Sequence, residues 1–360
     1  MKIKSKIMES SVIVIKIGSS ILIKKDLFNE KKLLEILEDI KFFLRKKKKI
    51  ILVASGAVAL GKRYIKFQND KKLTIKQKQA LASCGQTLLM SNFLQIFNSS
   101  KLKVSQVLLT IGDTDDRKRS IQARDTLKTL MELNVVPVIN ENDTVANEEL
   151  KFGDNDRLSA IVAIVVKAEK LVLITNQEGL FDSDPEKSNN AEKINYIEYD
   201  SEELAELIPL SATGEGVGGF STKIMASQMA GFSGIPTQII TWSDECIKKV
   251  VNSEDIGTLV RPSSKKVKLK KLWIAYGMPI IGKIIIDDGA KNALTKDASL
   301  LSIGIKEIKV PFEINDGVEI FDTNNLLIAK GISKISSKEF SLGKEAESKV
   351  VIHKDNLLIL

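Results

Sequence analysis

Apolar and polar positions alternate between two textures over the first 260 residues. VIVIKI (12–17), KIILVAS (49–55), VSQVLLT (104–110), VVPVIN (135–140), LVLIT (171–175) and PTQIITW (236–242) are strand-length runs, apolar almost throughout. Between them lie segments with helical spacing, such as 30–47, where Leu33, Leu34, Leu37, Ile40, Phe43 and Leu44 recur. Helices are also expected at about 74–97, 116–133, 155–168 and 244–251, and beyond the glycine-rich EGVGGFSTK. SGAVALG (55–61) reads as a glycine-containing turn. Strands without polar alternation, separated by helices, predict an α/β fold whose mainly parallel sheet is sandwiched by helices on both faces. Such sheets bind ligands beyond the carboxyl ends of their strands. Here those ends carry GSS, SGA, INEND, ITN and the loop before FSTK.

From about residue 262 the texture changes. PSSKKVKLKK is a polar, basic link, and short strand runs with Gly, Asp and Asn between them follow. We expect a first domain over 1–260, a linker over 261–270, and a small, mainly β domain over 271–360 with one short helix near 290–294.

The chemistry narrows with composition. Hydrophobic residues at 43% and charged residues at 28% are ordinary for a globular protein. MKIKSKIMESS has no signal-like apolar core, and LSAIVAIVV is too short to span a bilayer, so we expect a cytoplasmic protein with no membrane partner. Cys84 and Cys246 form no metal or redox pattern. The net charge is +8, and from Arg261 onward 17 Lys and Arg stand against 12 Asp and Glu. That balance admits RNA as a partner, or simply a lysine-rich solvated surface. One histidine, His353, stands near the end, which disfavours Ser-His-Asp, Cys-His and multi-histidine zinc chemistry. Two glycine fingerprints are poor matches. GAVALGKR (56–63) has Arg63 where a P-loop needs a hydroxyl, and GEGVGG (214–219) follows no clear strand.

Several residues remain as candidates. Lys16 interrupts an apolar strand and is either a functional buried lysine or an edge-strand residue facing water. Gly18, Ser19 and Ser20 after that strand, and Gly218, Gly219, Ser221, Thr222 and Lys223 at a helix start, suit an anion. NEND (140–143) and GDND (153–156) are turns and caps, a metal site or an amino-acid site.

IKIGSSIL, VASGAVALG, VINENDTVA, GDNDRLSA, LITNQEGLFDSDP and GGFSTK, in this order, resemble the amino acid kinase superfamily. Within it they are most similar to the branch that phosphorylates glutamate, and the tail resembles the PUA domain attached to many members. The resemblance implies transfer of the ATP γ-phosphoryl to the glutamate γ-carboxylate, giving L-glutamyl 5-phosphate, the first step of proline biosynthesis, with Mg²⁺ carried by the nucleotide and not by direct protein ligands. It also implies proline as feedback inhibitor and a homo-oligomer, dimer or tetramer. By matching position it makes Lys16 and Lys223 the catalytic lysines and Asp156 the carboxylate holding them. Ser55, Gly56, Ala57, Asn142, Asp143 and Asn155 become glutamate-binding. Lys16, Gly18, Ser19, Thr175, Asn176, Val217, Gly218, Gly219, Phe220, Ser221, Thr222 and Lys223 become ATP-binding. Asp154 would cap the following helix, and TVANEELKF would border the amino-acid pocket. Asn176 and Val217 depart from the family's Asp and Thr, and Pro311 stands where a glycine is common. Two alternatives stay open: a kinase of another small acid, and an RNA-binding protein acting through the PUA-like domain.

Overall fold

In a computed structural model the chain forms two compact units, residues 1–266 and 267–360, divided inside the expected linker. The structure describes residues 11–67, 73–115, 117–145, 155–183, 190–207, 218–243, 245–251, 256–262, 274, 278, 280–340 and 348–359.

The first unit runs β1 (Val12–Ile17), α1 (Ser19–Leu22), a hairpin of β2 (Ile23–Lys24) and β3 (Leu27–Phe28), α2 (Glu30–Arg45), β4 (Lys49–Ala54), α3 (Ala57–Tyr64), α4 (Ile75–Ser99) and β5 (Lys103–Leu109). It continues with α5 (Ile111–Asp115), α6 (Arg117–Glu132), β6 (Val135–Glu141), α7 (Asn155–Val165), β7 (Lys170–Thr175), β8 (Leu180–Phe181), β9 (Lys193–Ile194), β10 (Tyr196–Glu198), α8 (Glu202–Glu206), α9 (Gly218–Phe232), β11 (Thr237–Thr241), α10 (Cys246–Val251) and β12 (Thr258–Arg261). Eight strands make one sheet in the order β10-β12-β11-β7-β1-β4-β6-β5. It is parallel except at one end, where β12 pairs antiparallel with β11 and β10 runs parallel to β12.

Strand alternation assigns the faces. Ile13, Ile15 and Ile17 of β1 pack with Leu33, Leu37 and Ile40 of α2 and Leu89 and Phe93 of α4 in one core. Lys16, one position out of phase, therefore lies on the other face, where α7 packs on β1 and against α9. Local chemistry starts the helices. The Asn29 side chain accepts from Lys32 N–H at 3.4 Å, and Thr74 with Gln77 forms a capping box. All eleven residues of α7 are buried, the polar Asn155, Asp156 and Arg157 of its first turn included.

One expectation fails. SGAVALG is not a turn: only Ser55 and Gly56 lie outside helix, and α3 begins at Ala57. Its glycine spacing serves packing. A Cβ on Gly61 would lie 1.8 Å from the Leu81 carbonyl oxygen, and one on Gly85 would lie 1.7 Å from that of Ala57. The backbones of α3 and α4 touch there, which accounts for the P-loop-like pattern.

In the second unit, β13 (Ile280–Ile286) is followed by α11 (Asp288–Thr295), β14 (Leu300–Leu301), β15 (Ile305–Val310), β16 (Gly317–Phe321), β17 (Leu327–Ile332), β18 (Val350–Ile352) and β19 (Leu357–Ile359). The sheet order is β15-β13-β16-β17-β19, with β14 and β18 paired separately. Ile284, Ile286, Leu294, Val318 and Ile320 centre its own core. Pro311 falls one residue past β15, where no ladder donor is lost. His353 divides the terminal run by accepting from Asp355 N–H at 3.2 Å, so this histidine serves a turn.

Candidate active site at the carboxyl edge of the sheet

Lys16 sits near the carboxyl end of β1, flanked by β7 and β4, so the edge-strand reading is excluded. It is only 7% exposed. A buried ammonium needs an anion, and the first turn of α7 supplies it: Lys16 Nζ lies 2.7 Å from Asp156 Oδ1. The other carboxylate oxygen faces α9, with Lys223 Nζ at 3.1 Å and the Thr222 hydroxyl donating at 2.8 Å. Burial by itself pushes the Asp156 carboxyl up, but the two ammonium groups and the hydrogen bonds from Lys16 and Thr222 outweigh it and hold the group below the usual carboxylate range. The helix N-terminus favours the same negative charge.

Beside this ion triad, Asn155 Nδ2 donates to Ser55 Oγ at 3.1 Å, joining α7 to the end of β4. Gly56 then turns the chain into α3 with a φ of 120°, a conformation that side chains rarely adopt. A Cβ there would also meet Ile23 Cγ1 at 2.8 Å.

Asn142 and Asp143 follow β6. The Asn142 side-chain oxygen accepts from the Thr144 hydroxyl at 2.6 Å, so this residue does perform the turn work that Asn favours. Asp143 differs. It is 9% exposed, Oδ1 meets no hydrogen-bond donor among the described residues, and burial raises its pKa to about 6. A buried, unsatisfied carboxylate invites a cationic partner.

On the nucleotide side of the expectation, Thr175 is buried at the end of β7 and donates to the exposed Asn176 side chain at 3.2 Å. Gly18 N–H is already bound to the Ile174 carbonyl at 3.3 Å. Gly18 thus links strand to helix, and Ser19 and Ser20 are exposed at the start of α1. Gly218, Gly219, Phe220 and Ser221 open α9 ahead of Thr222 and Lys223. Val217, Asp154 and most of TVANEELKF lie outside the described residues, as does the basic run 263–271.

The sequence pattern did not single out a polar relay behind this edge. Asn140 Nδ2 donates to Gln86 Oε1 at 2.8 Å, and Gln86 Nε2 donates to Gln106 Oε1 at 3.0 Å. Glu141 and Arg157 are also buried. The signal available was the polar end of an otherwise apolar strand, but the partners come from α4 and β5 and only the fold brings them together. Among the described residues no group of three or more His, Cys, Asp or Glu could hold a metal, and no helix is long and apolar enough to cross a membrane.

A buried and a half-buried lysine, a carboxylate between them, small residues at strand ends and an unsatisfied carboxylate nearby make a site for holding anions and a cation together. The sequence model of the amino acid kinase family matches residues 11–241, and that of the PUA domain matches 282–354. The UMP kinase of Bacillus anthracis superposes with a TM-score of 0.50 at 13% identity, over 71% of this chain and 97% of that one, a likeness of fold alone. A glutamate 5-kinase of Photobacterium profundum is 38% identical over 97% of this chain and 96% of its own. One from Prochlorococcus marinus (strain MIT 9301) is 40% identical over 96% and 99%. The chain belongs to the amino acid kinase family, on the branch formed by the glutamate 5-kinases.

Proposed function

We propose that the chain transfers the γ-phosphoryl of ATP to the side-chain carboxylate of L-glutamate, producing L-glutamyl 5-phosphate for proline synthesis in the cytoplasm. The observation that carries this reading is the Lys16–Asp156–Lys223 triad at the sheet edge, with Asn155, Ser55 and Asp143 beside it. A glutamate carboxylate has a pKa of about 4.3 and is ionised at neutral pH, so the nucleophile needs no general base. Two anions must instead be held together against their repulsion. In this reading Lys16 and Lys223 meet the transferring phosphoryl and its neighbours from opposite sides, and Asp156 fixes their directions. Asp143 accepts from the substrate α-ammonium, while Asn142, Asn155 and the Ser55–Ala57 loop serve the carboxylate groups. Thr175, Asn176 and the start of α9 form the nucleotide side. Mg²⁺ arrives on the ATP phosphates and shields their charge. We further propose a homo-oligomer, with proline competing at the glutamate pocket.

An ADP-release assay with ATP, Mg²⁺ and, in turn, glutamate, aspartate, acetylglutamate and UMP tests the assignment. Turnover is expected with glutamate; turnover only with another acceptor would replace it.

A further inference from the structure

On the face of the sheet opposite the ion triad, α2 holds the chain that leaves β11. Trp242 follows β11 and packs on the core beneath α2. Its backbone N–H donates to the Thr175 carbonyl at 3.3 Å, which carries the β7–β11 ladder one step past Thr241. Its indole N–H donates to Glu35 Oε2 at 3.0 Å. The same oxygen accepts from Lys32 Nζ at 2.9 Å, and that ammonium lies 5.0 Å from the centre of the Trp242 ring. The hydrogen bond from Lys32, its charge and the hydrogen bond from Trp242 outweigh partial burial and hold the Glu35 carboxyl below its usual range. One turn on, Asp39 is 1% exposed, and its Oδ2 accepts from Ile247 N–H at 3.0 Å. Residues four apart share a helix face, so Glu35 and Asp39 grip the chain on either side of the connection from β11 to α10.

Core packing accounts for the Trp242 ring, and the start of α10 accounts for Asp39. Neither accounts for the polar network on the indole edge. A partly exposed pair such as Lys32–Glu35 adds little stability by itself. Its effect here is directional. It fixes the indole, and the same residue's backbone holds the carbonyl of Thr175, whose hydroxyl in turn meets Asn176. A rung at the end of a ladder frays unless something outside the ladder holds it. The glutamate side is insulated from this anchor, because β4 and β6, which lead to Ser55 and Asp143, lie beyond β7 and β1 in the sheet.

We propose that Glu35 and Trp242 are positioning residues for the nucleotide, setting Thr175 and Asn176 at the end of β7 without acting on the glutamate pocket. This rests on the assignment of Thr175 and Asn176 to the nucleotide side.

Calorimetric titration of the full chain with Mg²⁺·ADP, and separately with glutamate, tests it without requiring turnover. Trp242→Phe keeps an aromatic ring in the core and removes the N–H. Glu35→Ala removes the acceptor, and Glu35→Gln restores an oxygen that can accept from the indole. Trp242→Phe and Glu35→Ala are each expected to weaken ADP binding by ~5-fold or more, Glu35→Gln by no more than ~2-fold, and none to change glutamate affinity. The double variant Glu35→Ala with Trp242→Phe should bind ADP no more weakly than either single variant, since both remove the same contact. In turnover, the ATP KM should rise in the same order with kcat unchanged. Because Trp242→Phe fills most of the same space, the comparison survives if Glu35→Ala unfolds. Unchanged ADP affinity in the variants, an equal loss of glutamate affinity, or Glu35→Gln no better than Glu35→Ala would each overturn the proposal. A parent that binds no ADP would overturn it together with the nucleotide-side assignment. A parent that binds ADP but phosphorylates no glutamate would refute the proposed reaction alone.

Discussion

At the scale of single residues, Asp156 and Asp143 are opposites built from the same side chain. Asp156 is buried among cations and held ionised; Asp143 is buried without a donor and pushed toward neutrality. Asp156→Asn removes the carboxylate that the described residues offer Lys16, and breaking a buried pair of this kind costs about 3–5 kcal/mol. Urea denaturation should show that loss, together with collapse of turnover. Lys16→Ala and Lys223→Ala should instead cut kcat far more than glutamate affinity, as steady-state kinetics would reveal. For Asp143 the sign runs the other way. Its folded pKa of about 6 lies above an unfolded value near 3.9, so its contribution to stability is full below about pH 4 and is lost as pH rises through about 6. Asp143→Asn is therefore expected to raise the melting temperature at about pH 8 while weakening glutamate binding. In the parent, the glutamate KM should climb as pH drops below about 6, and that rise should vanish in the variant. A pH-independent KM would remove Asp143 from the α-ammonium.

At the scale of elements, the α3–α4 crossing sets where the substrate loop starts. Gly61 and Gly85 allow backbone contact, and a methyl at either position would drive into a carbonyl 1.8 or 1.7 Å away. Gly85→Ala should cost on the order of 3 kcal/mol by overpacking and, because α3 carries Gly56 at its head, should also raise the glutamate KM. A stability loss with unchanged KM would separate the crossing from the site. The sequence showed these glycines but suggested a turn and a failed phosphate loop. Glycine spacing reports close approach without saying whether a phosphate or a helix approaches. β1, β4, β6, β7 and β11 were legible to within a residue or two, because each is buried on both faces and so reads as a continuous apolar run. The β2–β3 hairpin, β10 and β12 were not, since two to four residues carry too short a pattern.

At the scale of the whole molecule, the two units carry separate cores, and every residue assigned to the catalytic edge belongs to the first. Ile320→Ala should destabilise the second unit by about 2–5 kcal/mol in denaturation while leaving kcat with glutamate nearly unchanged. Several lysines described in that unit are engaged by acids: Lys283 and Lys330 flank Glu319, Lys291 meets Asp322 at 2.8 Å, and Lys338 meets Glu313 at 2.9 Å. With those lysines already paired, filter binding at low salt should detect only weak RNA association.

What the sequence determined by itself was periodicity and inventory: uniformly apolar strands demand a covered parallel sheet, polar clusters must then fall at strand ends, and a single histidine disfavours imidazole-based catalysis. What only the tertiary structure decided was pairing. Asp156 faces Lys16 and Lys223 across separations of 140 and 67 residues in the chain. Asn142 closes a turn while Asp143, next to it, stays unsatisfied, and Gly18 spends its N–H on Ile174. Residue type limits what a group can do, but its charge state and free donors depend on which neighbours share its low-dielectric surroundings, and those neighbours come from distant parts of the chain.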